Sequence, residues 1–168
     1  MNRGLVGLTG DAEPYGIWSV RLVPTSDPRA LWLGGSEPPY TFASPARGTE
    51  FALLLVVGDS EVGVDAQAAL SEQFVRAGCR YAICFGPKSS TWDDSIDMVS
   101  VMDEVYGKPG PFIMTVWFDD APLSQAVAFF AHCTEIDDWV PEHLVVFVLG
   151  GGPELEAQVH QALLDQFI

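Results

Sequence analysis

Positive charge is scarce in this chain: 8 Lys and Arg stand against 23 Asp and Glu over 168 residues, for a formal net charge of −15. Affinity for phosphate backbones and anionic lipid comes from Lys and Arg, so the composition argues against a nucleic-acid or membrane-surface binder acting alone. Cysteine is sparse as well. Three Cys at no metal-like spacing support neither a disulfide framework nor a zinc site, and they point to a reducing cytosol. No apolar run approaches the roughly 18 residues of a membrane span; the longest are 51–57 and 144–149. The start, MNRGLVGLTGDAEP, lacks the apolar stretch of a secretory signal. What remains is ample for a core: 48% hydrophobic residues and 18% charged ones exclude a disordered chain, and 168 residues suit one domain.

The acidic excess is unevenly placed. Residues 1–49 carry four Arg (Arg3, Arg21, Arg29, Arg47) against four acids and are neutral, so residues 50–168 carry the whole −15. Such a surface favours basic partners and cations, and it also serves plain solubility.

Residues 1–49 hold six Pro and seven Gly. Two β-like runs stand out in this arm, Ile17–Val23 with alternating character and Ala30–Leu33, which ends at Gly34-Gly35. They read as a hairpin or as two edge strands. From Phe51 the pattern becomes regular. Four strand-like runs, at 51–57, 80–85, 112–118 and 143–149, each precede a helical stretch, and the first is apolar throughout. Continuous burial marks strands covered on both faces. One helical stripe is Met98, Val101, Met102 and Val105, at i, i+3, i+4, i+7. Four β-α units in a row predict a three-layer, Rossmann-like or flavodoxin-like α/β domain, with a four-stranded parallel core over 50–168 and an irregular β-containing arm over 1–49.

Ligands in open parallel sheets bind at the carboxyl edge, where strand order reverses. In an order 2-1-3-4 the loops after the first and third strands adjoin. Asp59, Glu61, Asp119 and Asp120 would then converge, and clustered carboxylates need a cation such as Mg²⁺. The same acids also suit helix N-termini. This layout resembles a phosphoacceptor receiver domain in outline only, because no Lys ends a fifth strand. A second candidate joins Lys88, Ser89 and Ser90 to Gly150 and Gly151 as a phosphate or cofactor cradle. Neither a G-x-x-x-x-G-K-[ST] loop nor a G-x-G-x-x-G run is present. A capping box at Ser90-x-x-Asp93 or Thr91-x-x-Asp94 and a tight turn at Gly150–Gly152 are the plainer readings.

Cys84 and Cys79 lie in a strand, and Cys133 adjoins His132 without forming a dyad. Trp117 reads as core. Trp92 beside Asp93-Asp94, and Trp139 after Asp137-Asp138, are aromatics among acids, a pattern that anchors a basic partner or closes the rim of a core.

The stretches FALLLVVGDSEV, CRYAICFGPKSSTWDDSIDMV, GPFIMTVWFDD and DDWVPEHLVVFVLGG together resemble a bacterial α/β domain family of unknown function over about residues 50–152. The resemblance implies a small α/β domain and carries no activity, cofactor or site residue with it. The expected function is a non-catalytic acidic interaction module, such as an immunity, regulatory or accessory subunit of a bacterial defence or toxin system, that binds a basic protein. The alternative is a Mg²⁺-dependent or nucleotide-binding enzyme using Asp59, Asp119, Asp120 and Lys88. A homo-oligomer fits either.

Overall fold

Uninterrupted apolar runs become the central strands, and the Gly-rich punctuation between them becomes their turns. The computed structural model describes residues 13–15 and 18–167; Ile17, expected to open a strand, lies outside the described residues. The elements in chain order are β1 (Glu13–Tyr15), β2 (Trp18–Val23), β3 (Ala30–Ser36), β4 (Phe51–Val57), α1 (Val64–Ala77), β5 (Cys79–Phe85), α2 (Ser89–Val105), β6 (Met114–Phe118), α3 (Leu123–His132), β7 (His143–Leu149) and α4 (Gly152–Phe167). They form an α/β fold around one seven-stranded sheet in the order β1-β2-β3-β7-β4-β5-β6.

Two expectations change here. β3 pairs in parallel with β7 along its whole length, from Ala30↔His143 to Ser36↔Leu149, so five strands run parallel rather than four. Its antiparallel neighbour β2 and the short β1 extend the sheet on that side. The four predicted strands take the order fourth-first-second-third, which replaces 2-1-3-4. β7 returns between β3 and β4, and β5 separates β4 from β6.

Alternation along β4 sends Leu53, Leu55 and Val57 to one face and Leu54 and Val56 to the other. The first face packs on α1 and α2 through Leu70, Phe74, Trp92 and Ile96, together with Phe42 from the segment after β3. The second packs on α3 and α4 through Val127, Phe130, Val159 and Leu163. Every residue of β4 is buried, as is all of β7 after His143. The Phe42 ring meets Phe74 and Phe147 edge-on at 4.9 and 5.6 Å between centroids. Edge-to-face contact suits the ring quadrupole.

Helix α2 overturns the stripe expected of it. Met98, Val101, Met102 and Val105 are 54, 48, 39 and 70% exposed. The buried face is Ser89, Trp92, Asp93 and Ile96. Both sets have helical spacing, and sheet packing selects the one carrying the large indole. Trp117, read as core, is 50% exposed because β6 is the outermost strand. The helix starts also differ. Lys88 stands at the N-cap of α2 in the left-handed region (φ 61°), Gly63 caps α1 and Pro122 caps α3, each without a side-chain cap bond.

Candidate functional site

The loops after β4 and β7 leave toward opposite faces, one into α1 and the other into α4, and that divergence opens the sheet edge between two neighbouring strands. Backbone bonds knit the opening. The amides of Gly58 and Asp59 both donate to the Leu149 carbonyl, at 2.8 and 2.9 Å, and the Gly150 amide donates to the Ser36 carbonyl at 2.9 Å. Above them the Tyr40 hydroxyl donates to Asp59 Oδ2 at 2.7 Å, and the Glu61 amide donates to Asp59 Oδ1 at 2.8 Å. Gly150 sits beneath this pair at φ 71°, and a Cβ there would lie 2.8 Å from the Asp59 Cβ and 2.9 Å from the Tyr40 oxygen.

The electrostatics follow from these bonds. The Tyr40 hydrogen bond, then the Glu61 amide, hold Asp59 below the usual carboxylate range, and the Lys88 charge adds to the effect. Burial first, then Asp59, push the Tyr40 phenol well above its usual value. The pair is therefore a neutral phenol locked on a carboxylate at neutral pH. Tyr40 leaves no signal in the sequence: it lies in an irregular segment with no periodicity, and only the fold brings it to Asp59.

The candidate metal residues are divided by the sheet. Asp59 and Glu61 follow β4, Asp119 and Asp120 follow β6, and β5 runs between them. Two strand spacings are about 9.6 Å, too far for one ion to bridge without a large shift. Among the described residues no group of three or more His, Cys, Asp or Glu could hold a metal. The candidate cofactor residues are divided too. Gly150 and Gly151 border β7, at φ 71° and 85°, whereas Lys88, Ser89 and Ser90 open α2 beyond β5. A cavity of about 250 Å³ beside Gly150 is lined by Glu37 and Glu156, and these acids oppose a phosphate.

Of the candidate partner residues, Trp92 and Asp93 are 2 and 4% exposed and are not surface anchors. The Asp93 Oδ1 and Ser89 Oγ are buried without a hydrogen-bond partner. Burial raises the Asp93 pKa, and the neighbouring charges of Asp97 and Asp94 add to that. Asp94 is exposed near the head of α2. Asp137 and Asp138 are exposed before β7, on the opposite edge, and Trp139 between that turn and β5 is half-buried with the Arg80 guanidinium 5.4 Å from its ring centroid. The two aromatic-acid clusters do not share a surface.

A different surface combines the same chemistry. The outer side of α2 exposes Met98, Val101 and Val105, and beside it Phe112 and Trp117 are 62 and 50% exposed. A groove of about 490 Å³ between α2 and the Pro109–Ile113 segment is lined by Val101, Phe112, Asp97 and Glu104. Helix α2 carries five acids and neither Lys nor Arg. Exposed apolar groups rimmed by polar ones mark interaction sites. The signal in the sequence was the second helical stripe, at Trp92 and Ile96, which competes with Met98–Val105 for the core.

Among the described residues no helix is long and apolar enough to cross a membrane. No curated protein and no solved structure matches the chain. A family model does match, over residues 34–166, and reaches back into β3 at the seam of the parallel sheet. The chain belongs to the family described as domain of unknown function DUF7684.

Proposed function

We propose that the protein is a non-catalytic interaction module that binds a basic protein partner, in the manner of an immunity, regulatory or accessory subunit of a bacterial defence or toxin system. One observation carries this reading: α2 presents a row of large apolar side chains among the exposed acids Asp94, Asp97 and Glu104, with no base of its own. Apolar contact supplies affinity, and the surrounding negative field speeds encounter with a basic surface. The three free cysteines fit a cytosolic setting for it. A Rossmann-like classification of the fold is part of the same proposal, supported by helices on both faces of a mostly parallel sheet.

The test is affinity purification from the native host at low and high salt. The expected result is a stoichiometric basic protein that is released as salt rises and is lost on Met98→Asp with Val101→Asp. Absence of a stable partner at low salt overturns the reading. A second reading, a nucleotide-binding or Mg²⁺-dependent site at the carboxyl edge, is favoured by Lys88, whose charge acts on Asp59 beside the opening between β4 and β7. Its test is a thermal melt with and without about 10 mM Mg²⁺ on wild type and Asp59→Asn, where a shift lost in the variant supports a site at the opening and an equal shift overturns it.

A further inference from the structure

We propose that the partner engages by adding a strand: an extended basic segment pairs with the outer edge of β6, its side chains lying against α2. The inference rests on the basic-partner reading above and specifies its surface.

The direction of the peptide groups is set by register. Phe85 pairs with Phe118 in the parallel ladder, and the Gly86 amide donates to the Phe118 carbonyl at 3.1 Å. In a parallel ladder a residue turns its N–H and C=O to the same side. Met114, Val116 and Phe118 therefore bond inward to β5, and Thr115 and Trp117 turn both groups outward. No described strand pairs with that side. The side chains of Thr115 and Trp117 lie on the α2 face, where the Thr115 hydroxyl donates to Asp97 Oδ1 at 3.0 Å. Proteins normally guard such an edge with Lys, Pro or a bulge. Met114–Phe118 holds none of these, and its one large exposed aromatic is Trp117.

Charge selects the occupant. Asp97 and Glu104 line the groove at the start of β6, and Asp119-Asp120 follow its end. A second copy of this chain would bring another −15 to the same place. An extended segment with alternating basic and apolar residues satisfies both the open peptide groups and the acids, as in other strand-addition complexes.

The experiment measures binding of a labelled peptide of about six residues, alternating Lys and Val, against its Glu/Val counterpart. The protein is compared as wild type, Trp117→Val and Trp117→Pro. Pro removes the outward N–H of residue 117 and leaves the inward ladder intact, so it is tolerated on an edge. We expect the Lys peptide to bind at least about tenfold more tightly than the Glu peptide, Trp117→Val to retain most of this, and Trp117→Pro to lose a further tenfold. Should Trp117→Pro fail to fold, a Lys peptide N-methylated at alternate amides makes the same test on the wild type, with binding expected to be lost. Equal binding by Trp117→Pro and Trp117→Val, or by methylated and plain peptide, overturns strand addition while the basic-partner reading stands. No preference for Lys over Glu peptide overturns both. A chain that dimerises alone, and becomes monomeric on Trp117→Pro, identifies a second copy as the occupant and overturns the basic segment.

Discussion

The Tyr40 hydroxyl and the Asp59 carboxylate, 19 positions apart in sequence, meet at 2.7 Å over the Gly150 backbone and close the opening between β4 and β7. A hydrogen bond to a charged acceptor contributes about 1.5–3 kcal/mol. Tyr40→Phe should therefore lower stability by about 1–2 kcal/mol in urea melts near pH 7. The folded-state pKa of Asp59 is depressed, so its contribution is present above the unfolded value of 3.8 and is lost as pH falls through the folded one. The gap between wild type and Tyr40→Phe should be flat above about pH 5 and should close below about pH 4.

Two glycines with similar backbone angles separate strain from crowding. Gly48 has φ 83° with nothing within 4 Å of a built Cβ, whereas Gly150 has φ 71° with Asp59 and Tyr40 both inside 3 Å. Gly48→Ala should cost about 1 kcal/mol from the left-handed backbone alone. Gly150→Ala should cost at least about 2 kcal/mol and should also disturb the Tyr40 ring signals in NMR spectra.

Trp92 and Trp117 should behave oppositely. Trp92 fills the core under α2 at 2% exposure, and Trp117 stands half in solvent at 50%. Trp92→Ala should cost about 3–5 kcal/mol, and Leu54→Ala in fully buried β4 about 2–5 kcal/mol. Trp117→Ala should cost under about 1 kcal/mol. Chemical denaturation of the three variants reads this directly, and a large loss at Trp117 would place it in the core after all.

Asp93 should oppose stability at neutral pH. Its folded-state pKa is raised, so the folded chain holds the proton more tightly and stability declines as pH rises from the unfolded value through the folded one. Asp93→Asn removes the charge while keeping the shape. It should raise stability by about 1 kcal/mol near pH 7, with the gain shrinking toward pH 3. Thermal melts across that range test it, and a variant less stable than wild type at every pH would mean the carboxylate has a partner.

Because β5 divides Asp59 from Asp119 and Asp120, no single ion is expected to join them. Melts in about 10 mM Mg²⁺ should shift wild type and Asp119→Asn equally, by diffuse ion binding. A site with a dissociation constant near 0.1 mM would add about 2.7 kcal/mol, and a shift of that size lost in the variant would establish a metal site at this edge.

The central elements were legible because local pattern and tertiary position agree in them. Phe51–Val57 is apolar throughout, as is 144–149 of β7, and burial on both faces of a sheet hides such runs. The strand order was not legible. Whether β7 returns beside β4 or beyond β6 is decided by pairing across more than a hundred residues, as at Ala30↔His143, which leaves no trace in local periodicity. Helix α2 shows a subtler failure. Two stripes compete there, and the better hydrophobic one by composition lost to the one holding Trp92. The site suffered from both problems, since Tyr40 depends on the crossover from β3 and the open edge depends on which strand ends last.

The place of β7 between β3 and β4 also imposes a timetable on synthesis. β3 is made early, yet its only parallel neighbour is finished at Leu149. While the ribosome is still translating the middle of the chain, β4, α1 and β5 can assemble from near neighbours, and β3 waits with one side bare. Pairing at such sequence separation is slow and exposes the waiting segment to aggregation. The acidity of the intervening residues then has a second benefit: nascent chains on neighbouring ribosomes repel one another during that interval.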